Sequence, residues 1–351
     1  MQDTNNNKLK RTRRQHILPR SYLERFAVKK QVWVHNFQQS ESYVNNITDA
    51  ACIGDFYTVK TIDEQEDDCI ESGLLAKIEG IGNPIIDKMI NKMYIPTGKE
   101  KALFANYLAI MYTRGTWFRQ ILLEVHEHFA NDLAEKLITD EQLFNKTMDG
   151  FKKEMGIAED LTFEKAKEVH ANSEISMSIP RTYYVKEMML YAARLVNVFC
   201  RMNFNLIYAS PLSKEAQFIT SDKPIAVMTN SPLGKYEKWL EDPEALLYFP
   251  LSSHTCLMLD FKKEPKILSA KRSNIASING LIANECVYIS ISQEPDFIWM
   301  KECMQISNSP KELFDLLSEG KKTDPRVNNI LGQKLKSKCR SDINLLRGTD
   351  N

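Results

Sequence analysis

The hydrophobic pattern changes period along the chain. Gln31-Val32-Trp33-Val34-His35-Asn36-Phe37 alternates and is rich in β-formers, which predicts a strand. Asn45-Asn46-Ile47-Thr48 leads into a short segment around residues 49–53, and Asp55-Phe56-Tyr57-Thr58-Val59 predicts a second strand. Residues 62–68 are acidic and expected at the surface. Ile70, Leu74, Ile78, Ile81 and Ile85 then recur at helical spacing, with a break expected at Gly80–Pro84.

The middle predicts helices. Thr97-Gly98-Lys99-Glu100 has the form of a capping box, Thr97 as N-cap and Glu100 three residues on. Leu103, Tyr107, Ile110 and Met111 put the next helix in register, running to about Lys136. Residues 140–170 are charged and more weakly patterned. Pro180 opens a helix from Arg181 to Met202 with Tyr184, Met188, Tyr191, Leu195 and Phe199 on one side. The period then shortens. Runs at 205–209, 218–221, 226–228, 245–250 and 255–259, bounded by Pro, Gly or Ser, predict strands of one sheet. Residues 274–284 resemble a helix, 285–290 read as its end or as another strand, and 310–319 form a short amphipathic helix.

This order predicts an α+β fold, with a mixed β-sheet from N- and C-terminal segments and a large central helical insert at about 97–203. Residues 1–14 are expected to be a disordered basic arm, 15–305 a single domain, and 306–351 a C-terminal helix and polar tail. At 351 residues with 43% apolar content, the chain can bury a sizeable core. Its 46 basic and 46 acidic residues cancel, which excludes a uniformly basic nucleic-acid glove and mildly favours self-association. Seven cysteines without CxxC spacing predict reduced, buried thiols and a cytoplasmic protein. No apolar run reaches membrane-spanning length, so no membrane partner is expected.

Three places could carry chemistry. In Gln15–Phe26, His16 can act as acid or base, and Arg20 can hold a carboxylate or phosphate. Tyr22 lies beside them; the alternative is that the block locks the N-terminal segment to the body. In Phe218–Pro224, Thr220, Ser221 and Asp222 end a strand at a polar tip; the alternative is a local turn closed by Ser221 or Asp222. Arg114 interrupts an apolar helix and needs a partner, Glu79 or Asp222, or else an anion. His126-Glu127-His128 is not a zinc motif, and Glu124–His128 reads as a surface pair. Walker, dinucleotide and nucleophile-elbow motifs are absent.

The block Gln15 to Phe26, the helical Arg114 and the block Phe218 to Pro224 together resemble the bacterial family known as domain of unknown function 4238. Phe56-Tyr57-Thr58, Glu79, Phe249-Pro250-Leu251-Ser252, Asn279 and Tyr288 support the resemblance, which spans about residues 15–292. It implies that these blocks meet in one site, with His16, Arg114 and Asp222 as its candidates; it carries no catalytic role. The residue chemistry favours a hydrolase for a phosphodiester or other anionic substrate, nuclease-like and of toxin or phage-defence type. His16 would be acid or base, Arg114 the charge stabiliser and Asp222 the orienter. Arg20, Tyr22, Thr220 and Ser221 would bind substrate, and Asp222 with Glu79 could hold a divalent metal. Nucleic acid or another anion is the expected partner. The alternative is a non-catalytic binding module for an anionic ligand or protein, with the cluster structural.

Overall fold

The computed structural model describes residues 14–60, 66–67, 70–155, 161–172, 178–209, 216–229, 238–240, 242–262, 264–301 and 305–323. The basic arm up to residue 13, most of the acidic stretch 62–68 and the polar tail from 324 lie outside them. The chain divides into two compact units, Met1–Trp117 with Val185–Asn351, and Phe118–Tyr184.

The first unit opens with β1 (Arg14–His16) and one helical turn, α1 (Arg20–Leu23). The hairpin of β2 (Gln31–Asn36) and β3 (Glu41–Asn46) follows. β4 (Cys52–Gly54) folds back antiparallel on β1 and sets Cys52 opposite His16. The strand expected at 55–59 is mostly turn; only its end pairs, as β5 (Val59–Lys60) with β6 (Glu66–Asp67).

A π-helical segment, Ile70–Leu75, leads into α2 (Ala76–Lys92). The break expected at Gly80–Pro84 does not occur. Pro84 cannot donate to the Gly80 carbonyl, but Gly80 is exposed, so water can satisfy it. Buried Ile85, Ile86 and Met89 hold the helix in place. Thr97 caps α3 (Gly98–Thr113) in the expected position, yet its side chain makes no cap bond. Glu100 is drawn instead to Lys88 at 2.6 Å.

The long helix expected to reach Lys136 is interrupted at Arg114-Gly115 and resumes as α4 (Thr116–Thr139). A Cβ on Gly115 would lie 2.7 Å from the Asp222 carbonyl oxygen, so only glycine permits this approach. Trp117 Nε1 donates to the Tyr112 carbonyl at 2.7 Å, satisfying a group the break releases.

After α5 (Glu141–Met155), α6 (Phe163–Asn172) and α7 (Arg181–Arg201) come β7 (Asn203–Ala209), β8 (Thr220–Ser221) and β9 (Ala226–Met228). β10 (Leu246–Pro250), β11 (Thr255–Asp260), β12 (Ile267–Ala270) and α8 (Arg272–Glu285) follow. β13 (Ile289–Ser292), β14 (Trp299–Met300), β15 (Ile306–Ser307) and α9 (Pro310–Thr323) complete the described chain.

The strands after α7 do not form one sheet. A five-stranded sheet has the order β12-β7-β11-β10-β9, antiparallel except between β12 and β7. β8 leaves it for a four-stranded sheet of order β3-β2-β13-β8. That second sheet takes two strands from each end of the chain, as the α+β reading requires. β10 and β11 are buried along their length, consistent with their near-continuous apolar runs. The core gathers Phe37, Phe218, Tyr248, Met258 and Trp299 around α8, whose residues from Asn274 to Ala283 are all buried.

The second unit is helical and thinly cored. Phe144 meets Phe163 at 5.5 Å and Phe118 meets Tyr184 at 6.3 Å, but α6 buries no residue. His128 pairs with Asp132 at 3.5 Å rather than Glu124, and His126 lies 2.8 Å from the Tyr183 hydroxyl. Among the described residues no helix is long and apolar enough to cross a membrane. Of the described cysteines, only Cys256 is fully buried; Cys52, Cys200 and Cys286 are half-buried thiols.

Candidate functional site

Gln15 is buried and ties β1 to the segment after β4. Its amide donates to Thr58 Oγ1 at 3.2 Å, and its oxygen accepts the Tyr57 N–H. Tyr57 donates its hydroxyl to the Arg114 carbonyl at 2.6 Å, satisfying another group at the end of α3. The Tyr57 ring also faces the guanidinium at 5.8 Å.

Arg114 is 1% exposed. Its Nη1 donates to Glu79 Oε1 at 2.8 Å and its Nη2 to the His16 carbonyl at 2.6 Å. Glu79, in the first turn of α2, is 23% exposed in its side chain, so the ion pair has one partly open side. His16, Arg114 and Glu79 therefore meet. Burial lowers the His16 pKa below its ordinary 6.5, opposed by backbone carbonyl contacts to Thr48 and Ile47 and reinforced by the Arg114 cation. His16 Nε2 is buried and has no hydrogen-bond partner among the described residues. The buried hydroxyl of Tyr107, two turns before Arg114 on α3, also lacks one, and burial raises its pKa.

The Gln15–Phe26 and Phe218–Pro224 blocks touch through Tyr22. Its hydroxyl donates to the Pro250 carbonyl at 2.7 Å and so accepts from Thr220 Oγ1 at 2.8 Å. Tyr22, Thr220 and Ser221 are fully buried, whereas Arg20 is exposed. Ser221 closes a local turn, its hydroxyl donating to the Lys223 carbonyl at 2.8 Å and accepting the Lys223 N–H at 3.3 Å.

Asp222 reaches away from the turn. Its carboxylate accepts the backbone N–H groups of Val287 at 2.9 Å and Tyr288 at 2.8 Å. Complete burial raises its pKa to about 6 despite those donors. Asp222 approaches Arg114's neighbourhood through its own carbonyl, which lies against Gly115. The Arg114 ion partner is Glu79, not Asp222. Among the described residues no three His, Cys, Asp or Glu converge as a metal site, and the Glu79 and Asp222 carboxylates are each committed elsewhere.

Gln15 opens the first block, whereas the sequence pattern gives Arg25 no role of its own. Arg25 binds Asp87 at 2.7 Å, Asn83 at 3.0 Å and the Ser21 carbonyl at 2.7 Å, joining α1 to α2. Its signal was available: Asn83 and Asp87 are four apart and share a helix face.

No curated protein and no solved structure matches the chain. Residues 14–295, which contain Gln15–Phe26, Arg114 and Phe218–Pro224, match the family described as Protein of unknown function (DUF4238), and the chain belongs to that family.

Proposed function

We propose that the protein is a hydrolase acting on a phosphodiester or another anionic substrate. His16 is its acid–base residue and Arg114 its charge stabiliser. The observation that carries this reading is the unpartnered His16 Nε2 beside a buried guanidinium. A lowered pKa keeps the imidazole neutral at pH 7. The unpartnered Nε2 can carry the neutral ring's lone pair and take a proton from water or a substrate hydroxyl. Arg114 offsets negative charge developing on the substrate, and Glu79 holds the guanidinium in position. Exposed Arg20 meets the substrate's charge from outside. Buried Tyr22, Thr220, Ser221 and Asp222 support these groups through the scaffold.

A second reading, a non-catalytic binding module for an anionic ligand or protein in which the Arg114 cluster is structural, is favoured by one fact: both terminal nitrogens of Arg114 already have internal acceptors. The deciding experiment is cleavage of labelled single- and double-stranded RNA and DNA by the full chain, with EDTA, Mg²⁺ or Mn²⁺. His16→Asn is expected to lose activity by about 10²–10⁴-fold while melting with the wild type. Absence of wild-type cleavage on every substrate overturns the nuclease form of the hydrolase. Native mass spectrometry for a retained anion then tests the second reading.

A further inference from the structure

A polar row crosses the four-stranded sheet on one face. Residues directly opposite on paired strands share a face, so Ser42, His35, Ser290 and Ser221 lie in line across β3, β2, β13 and β8. Ser292, two residues along β13 from Ser290, is on the same side. His35 is fully buried, with the Phe297 ring at 5.0 Å. Its Nε2 lies 2.7 Å from Ser292 Oγ, and its Nδ1 lies 2.9 Å from Ser42 Oγ.

The direction of these bonds follows by elimination. Ser292 has one hydroxyl proton and donates it to the Glu294 carbonyl at 2.6 Å. Ser292 Oγ therefore accepts from His35, which puts the ring proton on Nε2. Nδ1 is left with a lone pair, and Ser42 donates to it. Burial keeps this imidazole neutral. Ser42 itself is exposed.

The register adds a donor. Ile47 N–H bonds to the Lys30 carbonyl, so alternation makes His35 and Ser42 a non-hydrogen-bonded pair. Such pairs bring side chains closest, which accounts for the cross-strand contact. They also turn the Ser42 N–H outward, and β3 is the sheet's edge strand among the described residues.

We propose that Ser42 is a nucleophile that accepts an acyl group from carboxylic esters, with His35 as its base and Ser292 positioning the ring. Ser42 Oγ bonds to the ester carbonyl carbon while its proton passes to His35 Nδ1. The outward Ser42 N–H faces the developing oxyanion. The C–O bond to the leaving alkoxide then breaks, and the alkoxide takes the proton from His35. An acyl-serine and an alcohol result. This site shares no residue with the His16 cluster and does not depend on its function.

The test is incubation of the full chain with p-nitrophenyl acetate, followed by intact mass and peptide mapping. One acetyl group is expected on Ser42 and none there in Ser42→Ala. Ser292→Ala and His35→Asn, where melting shows them folded, are expected to slow Ser42 labelling by about a hundredfold. Absence of acetyl-Ser42 in the wild type overturns the proposal, as does unchanged labelling in a folded variant. A free peptide of residues 38–46 is the reference should both variants unfold. Wild-type labelling no faster than the peptide's then overturns it.

Discussion

Asp222 presents two acceptor oxygens to two backbone amides, yet its burial outweighs those bonds and lifts its pKa from 3.8 to about 6. The folded state therefore holds the proton more tightly than the unfolded chain. Its stability contribution is full below pH 3.8 and declines as pH rises through about 6. A shift of about 2 units corresponds to about 3 kcal/mol. Urea unfolding at pH 4 and pH 7 is expected to show wild type losing about 2 kcal/mol more than Asp222→Asn over that interval, since pH 4 already lies above the unfolded pKa. Parallel pH profiles would show that Asp222 does not titrate between these limits. The variant's own amide turns one NH₂ toward a backbone N–H, costing about 1–3 kcal/mol. The residue scale was partly legible. A guanidinium in an apolar helix demands an acceptor, and Arg114 has Glu79. Its bond to the His16 carbonyl had no sequence signal, because a backbone acceptor is the same at every residue.

At the scale of elements, α2 carries two glycines on opposite sides of one question. Gly82 is buried against Tyr107: a Cβ there would lie 2.2 Å from ring Cδ2 and 2.5 Å from Cγ. That ring is stacked on Phe104 at 5.5 Å and has little room to swing. Gly80 is exposed with nothing within 4 Å of an added Cβ. Gly82→Ala is expected to destabilise by about 1–3 kcal/mol through overpacking. Gly80→Ala is expected to stabilise by about 0.5–1 kcal/mol through helix propensity alone. Paired melts test this, and equal shifts of one sign would refute the packing account. The same contrast explains which elements could be read in advance. α7 and β2 announce themselves because one side of each is apolar with a regular period. The continuity of α2 through Pro84 depends on solvent at Gly80, and the break at Gly115 depends on the Asp222 carbonyl 107 positions away. Neither cause is local. The departure of β8 to the other sheet is likewise fixed by its pairing with β13, which Phe218-Ile219-Thr220-Ser221 alone does not encode.

For the whole molecule, the two units differ in how much apolar surface they hide. The first packs a continuous core around α8. The second leaves Phe129 67% exposed, together with exposed Leu133, Leu143, Phe151, Leu161 and Val169. Apolar burial is the main favourable contribution to folding, so a helical unit with so little of it opens at lower free-energy cost. The placement of tryptophan makes this measurable. Trp33, Trp117, Trp239 and Trp299 all fall within the first unit, and none lies within 118–184. Tryptophan fluorescence therefore follows the first unit, while far-UV circular dichroism follows the helices of both. Heating is expected to produce a loss of helical signal before the fluorescence changes, because the thin unit melts first. Coincident transitions would mean that both units unfold as one cooperative body. Early loss of the helical unit with the fluorescence intact would leave both sites in place, since His16, Arg114, Glu79 and Ser42 all belong to the first unit. Activity at the His16 cluster and labelling of Ser42 should then persist to the fluorescence transition rather than fail with the helices.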